Sequence, residues 1–449
     1  MCYQKKFFVL VFLFAGLFLL GCNKDKESES VTKLDLDKIL NLPYSQLSPD
    51  EQKIKLENES LAFLELCHAA QTSPAVEAIQ NLNDLLGEEM VEFGYGASKM
   101  SVKSVKAAVE YADFYGIFTW NASKREWDYM PSNNELKFVF PAKKKSTANN
   151  ASLSIKLVSS GVLVEEIFYL PKSVTCTLTV DNKEAAKIEW SAEYKNNKPV
   201  PVKTEFRFTT GDGYSYWWKI EKGNESQVAM KLSYKNQIMF EVLFKSGIKL
   251  DEIFNLALND ELDGHYDLLD QANGYVKLMD DLVLVYTVDL ANYIPVTEKI
   301  VEDFKKNMAK FHPMWADDWY AVQVAYEKNK NRYTDEEKYR KERSDKEAKA
   351  FNDYMKVALF SLKDNYKIAD LIARSEKDEE FWDDYYWNDT QGKWLRSYNG
   401  VGTKKFDFYA NNPYLKFNDN TEVEASVYFS EVFSNIEEEF KDFIKSFDR

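Results

Sequence analysis

VKTEFRFTTGDGYSYWWKIEKGNESQVAMKLSYKNQIMFEVLF, residues 202–244, is the stretch that decides the fold. It holds four short runs, 202–209, 214–221, 227–234 and 237–244, rich in aromatic and β-branched residues with alternating polarity. Gly211-Asp212-Gly213 and Gly223-Asn224 separate the first three with turn chemistry. Connections this short cannot hold a crossover helix, so neighbouring strands must run antiparallel. The same period extends upstream through 115–120, 126–130, 135–140, 153–158, 162–169, 173–180 and 185–194, broken at Asn121-Ala122-Ser123, Asp181-Asn182 and Asn196-Asn197. About ten strands joined by short turns read as a central antiparallel meander.

Outward from the meander the period is helical. Leu34, Leu36, Ile39 and Leu40 mark a short helix. Ser48-Pro49-Asp50-Glu51 is a helix start: an N-cap serine, proline at the first helical position, and acids at the positive end of the dipole. That helix carries Ile54, Leu61, Leu64 and Leu66. Thr72-Ser73-Pro74 ends it and opens another with Val76, Ile79, Leu82, Leu85 and Leu86, stopped at Gly87. A further helix is expected over 101–111. Beyond the meander, 247–258 reads as helix, 282–288 as a strand standing alone, and 295–310 as helix. Residues 317–375 read as largely helical, with a dense charge run laced by i,i+4 pairs. Near the end, 414–417 and 422–429 form a hairpin candidate about Asn418-Asp419-Asn420. From Ser434 an amphipathic helix presents Ile436, Phe440, Phe443, Ile444 and Phe447 for docking. The expected class is α+β: a central meander of about ten strands, N-terminal helices, and C-terminal helices with a small hairpin. The expected regions are 34–111 (helical), 112–250 (β), 251–375 (mostly helical) and 376–449 (aromatic and acidic, with the hairpin and docking helix).

The N-terminus, MCYQKKFFVLVFLFAGLFLLGCNKDKESES, is a separate matter. Its uncharged run, 7–20, makes only ~21 Å of helix against a hydrocarbon core of about 30 Å. Basic Lys5 and Lys6, a short apolar core and a small residue before a break are the parts of a secretory signal. Leu19-Leu20-Gly21-Cys22 resembles the lipobox of bacterial lipoproteins. The resemblance implies that residues 1–21 are removed and that the Cys22 thiol carries diacylglycerol, a membrane anchor of the palmitate type. Each buried CH₂ of such an anchor contributes about 0.8 kcal/mol. Asn23-Lys24-Asp25-Lys26-Glu27 resembles the export signal of Bacteroidota lipoproteins, with Lys26 interrupting the acidic pair. It implies the outer membrane, facing outward, with a periplasm-facing protein as the alternative. Residues 22–33 are otherwise a charged, Ser-rich tether.

The chain of 449 residues has a net charge of −15, which becomes −15 − 2 = −17 once 1–21 and their two lysines are gone. No basic stripe of a nucleic-acid binder is present. Of four cysteines, Cys2 leaves with the signal and Cys22 is the lipid site. Cys67 and Cys176 sit in apolar patterns and read as two buried thiols rather than a bridge. The 27 Tyr, 30 Phe and 10 Trp favour aromatic pairs across strands and a stacking surface for a ligand.

Candidate chemistry is sparse. Residues 259–270 resemble the EF-hand calcium loop, with Asn259, Glu261, Asp263, Asp267 and Asp270 as oxygen donors around Gly264. The shorter Asp270 at the closing position, where the pattern has glutamate, departs from it. No other cofactor is suggested. His68, His265 and His312 show no metal or nucleophile spacing. Trp315, Trp319, Trp382, Trp387 and the pair Trp217-Trp218 lie among acids or aromatics, as in sugar-binding surfaces, but such clusters are more often core or domain-contact tryptophans with solvated acids between. Three readings follow. The first is a lipid-anchored envelope protein with a non-enzymatic binding or structural role. The second is a carrier of hydrophobic ligands whose meander curls into a half-barrel. The third is a glycan-binding or glycan-processing surface lipoprotein. They part at the sheet face: apolar lining for a carrier, exposed tryptophans with close carboxylates for glycans.

Overall fold

A computed structural model of the chain describes residues 34–71, 73–86, 115–164, 168–223, 225–247, 270–316, 318–397 and 402–429. Three helices come first: α1 (Leu36–Leu40), α2 (Pro49–Gln71) and α3 (Pro74–Leu86). The strands follow as β1 (Gly116–Asn121), β2 (Glu126–Pro131), β3 (Leu136–Phe140), β4 (Ala151–Val164), β5 (Phe168–Val180) and β6 (Lys183–Glu193). Then come β7 (Lys203–Thr210), β8 (Tyr214–Glu221), β9 (Ser226–Tyr234), β10 (Gln237–Ser246), β11 (Gln271–Leu278) and β12 (Leu282–Asp289). A helical insertion holds α4 (Leu290–Met308), a 3₁₀ turn (Pro313–Trp315), α5 (Trp319–Lys328) and α6 (Arg332–Tyr354). The chain returns through β13 (Met355–Ser361), β14 (Tyr366–Asp383), β15 (Tyr385–Asn388), β16 (Lys393–Arg396), β17 (Thr403–Lys416), β18 (Glu422–Glu424) and the short α7 (Ala425–Tyr428).

The protein is α+β, and its sheet is larger than the expected ten strands. Among the described residues sixteen strands form one open sheet in the order β18-β17-β14-β13-β12-β11-β10-β9-β8-β7-β6-β5-β4-β3-β1-β2. All neighbours are antiparallel except β1 and β3, which run parallel. The strand expected to stand alone, β12, pairs with β11 on one side and β13 on the other. It looked isolated because the helical insertion separates it from β13 in sequence, and because Asn273, Gly274 and Lys277 blur the strand period of β11 just upstream. Residues 355–375, expected to be helical, are instead β13 and the first part of β14. The charges of Lys377-Asp378-Glu379-Glu380 hide the strand period where β14 and β17 continue as a long hairpin. There Lys377 and Lys404 both pair with Glu380 and Asp407. The expected strand over 422–429 keeps only three residues before α7 takes over. Strands β15 and β16 form a separate small hairpin. The helices expected over 101–111 and from 434 onward lie outside the described residues, as do Cys22 and all but Gly247 of the helix expected over 247–258.

Local chemistry sets the helices. Ser48 and Glu51 form a reciprocal capping box on α2: the Ser48 N–H donates to Glu51 Oε2 at 2.9 Å, and the Glu51 N–H to Ser48 Oγ at 3.4 Å. The seam of α2 is Gln52, Leu56, Ser60, Phe63 and Cys67, all buried. Ile54 and Leu61, expected on the packing face, are exposed. The seam tolerates Ser60 because its hydroxyl donates to the Leu56 carbonyl at 2.7 Å.

Strand alternation gives the sheet two unlike faces. Cross-strand register puts Phe138, Leu153, Leu178, Ile188, Phe206, Trp218, Met230, Val242 and Val276 on one of them, the apolar face. Lys137, Ser154, Thr177, Lys187, Glu189, Arg207 and Lys231 fall on the other. Helix α3 lays Ala75, Ala78 and Leu82 over the apolar face near β1–β6. Helix α2 covers it near β8–β14 with Leu56, Phe63 and Cys67. Helix α1 crosses to the opposite face, where its Ile39 packs with Trp217, Leu243, Tyr275, Val285 and Phe360. Among the described residues neither Cys67 nor Cys176 is in a disulfide; Cys67 is buried, as expected, whereas Cys176 is only half-buried. Burial pushes the Cys176 thiol up to about 11, so it is an inert hydrophobe rather than a nucleophile.

Candidate functional site

Helices α2 and α3 rest on the apolar face toward its two ends, and a strip lies between them. Phe206, Trp218 and Met230 form its buried centre, with Ile188, Phe208, Tyr216, Ile220, Phe240 and Val242 packed around them. Every member of this cluster among the described residues comes from β6–β10, whereas the other clusters on this face each include helix residues. At ~4.8 Å per strand the strip runs roughly 19 Å across the sheet. Its rings are ordered against each other: Phe206 stacks on Trp218 at 5.9 Å and meets Tyr216 edge-on at 5.8 Å. The Tyr216 hydroxyl points to Met230 Sδ at 3.2 Å, and burial holds its ionisation far above the ordinary range. The Trp218 indole Nε1 is buried without a hydrogen-bond partner, an unmet donor in an otherwise apolar strip. The sequence places these side chains by strict alternation alone, so the strip was legible as a face. That α2 and α3 would leave its middle to the strands was not.

The tryptophans singled out from the sequence do not come together. Trp217 and Trp218, neighbours in β8, point to opposite faces and are both buried. Trp217 donates to Glu205 Oε1 at 2.9 Å beneath α1. Trp315 and Trp319 sit on the insertion, and Trp382 at the end of β14; all three are exposed. Trp387 on β15 is half-buried and donates to Asp389 Oδ1 at 3.0 Å, with the Lys330 ammonium 5.9 Å from its ring. The acids beside these rings are already engaged: Asp383 accepts from the Tyr333 hydroxyl at 2.8 Å, and Asp384 from Arg396 Nε at 2.7 Å. A hydroxyl-lined groove of about 320 Å³ does exist, walled by Glu135, Lys137, Ser154, Thr175 and Thr177 among others. It lies on the polar face at β3–β5, nine strand spacings or ~43 Å along the sheet from β14 and its tryptophan.

Of the calcium-loop positions only Asp270 is described. It is exposed, and its Oδ1 accepts from the Gln271 N–H at 2.7 Å. Asn259, Glu261, Asp263 and Asp267 lie outside the described residues. Among the described residues no three His, Cys, Asp or Glu side chains group to hold a metal ion. No described helix is long and apolar enough to cross a membrane.

A cation box, which sequence reading missed, holds the insertion against the small hairpin. Arg332, at the start of α6, is 3 % exposed, and its guanidinium carbon lies 4.4 Å from the Tyr326 ring, 4.5 Å from Tyr333, 4.9 Å from Trp394 and 5.2 Å from Tyr385. Its Nη2 donates to the Tyr333 hydroxyl at 2.6 Å. Trp394 in turn donates to the Asn329 carbonyl at 2.7 Å. The guanidinium plane can face several rings at once, which a lysine ammonium cannot reproduce. Arg332→Lys is therefore expected to cost about 2 kcal/mol and to release the β15–β16 hairpin first. Faster amide exchange at 385–396, with α2 and α3 unchanged, is the result to look for.

Compared with known families, curated proteins and solved structures, the chain matches none.

Proposed function

We propose that this chain is a lipid-anchored protein of the bacterial envelope with a non-enzymatic role, the binding of an apolar ligand along the strip between α2 and α3. The observation that supports it most directly is the Phe206–Trp218–Met230 cluster, which among the described residues is built from β6–β10 alone, between the parts of the face that α2 and α3 cover. An acyl chain laid across those strands would be removed from water at roughly 25 cal/mol per Å² of apolar surface. The lipobox resemblance at Leu19-Leu20-Gly21-Cys22 supplies the second half of the reading, a body held at the membrane.

The test of the ligand is quenching of tryptophan fluorescence by a brominated long-chain fatty acid. Saturable quenching is expected, and Ile188→Asp, at a half-buried rim position of the strip, should weaken it at least tenfold with the thermal midpoint nearly kept. An absence of saturable quenching by any long-chain probe would retire the carrier reading. For the anchor, mass spectrometry of Cys22→Ser should show loss of the acyl chains and release from the membrane fraction. Unchanged retention counts against it.

Glycan binding is the second reading, favoured by the exposed rings of Trp315, Trp319 and Trp382. A glycan array without signal removes it.

A further inference from the structure

One surface is left unexplained by ligand binding. The 3₁₀ turn and α5 put Met314 (82 % exposed), Trp315 (37 %), Trp319 (53 %), Tyr320 (78 %) and Val324 (48 %) into water within eleven consecutive positions. Tyr320 and Val324 share a helix face at i,i+4, and the Trp319 and Tyr320 rings lie 6.2 Å apart. The patch is backed by packed structure rather than carried on a loose loop. Trp315 stands edge-on to Phe304 at 5.5 Å, and Phe304 and Met308 beneath it are buried in α4. Lys310 and Lys328 flank it, and Asp318 lies within it.

We propose that this aromatic apex is a membrane-contacting face that rests in the headgroup region of a phospholipid bilayer. Two observations choose a bilayer over a protein partner. The residue types are those whose amphipathic rings settle at a membrane–water interface, with flanking lysines long enough to reach phosphate groups. From Cys22 to the first described residue, Leu34, the chain makes 34 − 22 = 12 Cα-to-Cα steps. Fully extended it spans at most ~43 Å. A body on so short a leash meets the bilayer continually, at high effective concentration, so even weak ring insertion is populated. The inference rests on the membrane attachment proposed above and not on the ligand strip.

The experiment uses the full chain, reconstituted in phosphatidylcholine vesicles that contain brominated phosphatidylcholine. Tryptophan quenching is compared for the native chain, Trp315→Phe/Trp319→Phe, and Trp218→Phe. The double variant keeps the Phe304 contact in aromatic form and should lose more than half of the vesicle-dependent quenching. Trp218→Phe should keep most of it, which separates apex contact from lipid held in the strip. Equal quenching in the native chain and the double variant would overturn the proposal. So would a self-association, seen by sedimentation, that Trp319→Ser/Tyr320→Ser abolishes, because the apex would then be a protein contact. Failure of the chain to float with vesicles would overturn both this inference and the attachment it rests on, while fatty-acid quenching would still report on the ligand reading.

Discussion

Replacing Asp281 by alanine is expected to cost about 3–5 kcal/mol, the loss typical of a buried ion pair stripped of one partner. Asp281 is fully buried in the turn between β11 and β12. Its Oδ1 accepts from the Ser361 hydroxyl at 2.7 Å and from the Lys363 N–H at 2.9 Å, and Lys55 Nζ of α2 approaches Oδ2 at 3.0 Å. Three elements distant in sequence meet on this one carboxylate. Alanine would leave the Lys55 ammonium, itself mostly covered, with only Ser361 and Asp364. Chemical denaturation should show a lower midpoint with an unchanged slope.

The same group predicts a pH dependence. Burial alone would raise the Asp281 pKa, but the Lys363 N–H, the Ser361 hydroxyl and Lys55 outweigh it and hold the carboxyl below its ordinary range. A folded pKa lower than the unfolded value of about 3.9 gives stability that is present above that value. That contribution is lost as pH falls through the folded pKa. Asp281→Asn should flatten this part of the stability curve below about pH 4. An acid limb as steep in Asp281→Asn as in the native chain would show that other carboxylates set it.

Gly274→Ala is expected to cost about 3 kcal/mol, at the top of the range for overpacking. Gly274 lies in β11 between Phe244 of β10 and Tyr286 of β12. The Tyr286 phenol reaches across the glycine to donate to the Leu243 carbonyl at 3.1 Å, and its ring stacks with Phe244 at 6.5 Å over the same position. A Cβ at residue 274 would strike the Leu243 carbonyl oxygen and stand 2.5 Å from the Tyr286 hydroxyl. The first obstacle is backbone, so no rotamer change relieves it. The tyrosine must swing out, losing its hydrogen bond inside the apolar face. Gly274→Ala/Tyr286→Phe should recover part of the loss, because the phenol oxygen is then gone. A single variant as stable as the native chain would mean that β10 and β11 can separate locally.

Much of this fold is local. The turns after β5 and β9 need left-handed backbone, and the chain supplies Asp181-Asn182 and Lys235-Asn236, all at positive φ. With such turns and alternating strands of eight to thirteen residues from β5 to β10, the meander and its two faces follow from residues near one another. The capping box at Ser48 and Glu51 is equally local. What escaped reading was set by partners far along the chain. Strand β13 reads as part of the helical region because MKVALFS is nearly all apolar and follows the charged helix directly, and it becomes a strand by pairing with β12 across the inserted helices. The buried seam of α2 takes Gln52 and Ser60 over Ile54 and Leu61, because the sheet surface beneath it decides which stripe is covered.

The candidate sites divide the same way. Exposed or buried tryptophan cannot be told from composition, and two adjacent ones, Trp217 and Trp218, proved to serve opposite faces of one strand. The Arg332 box joins residues 326 to 394, a constellation with no sequence spacing to announce it.

By itself the sequence determined the α+β class, the antiparallel meander, the starts of α2 and α3 and the apolar alternation of β6–β10, because each depends on a turn, a cap or a period spanning a few residues; α4, expected from Pro295, begins instead at Leu290. Only the tertiary structure decided that sixteen strands share one sheet, that α2 and α3 leave an aromatic strip between them, and that Met314, Trp315, Trp319 and Tyr320 face water. Those outcomes turn on which surfaces meet across hundreds of residues, and burial is a property of the meeting rather than of the segment.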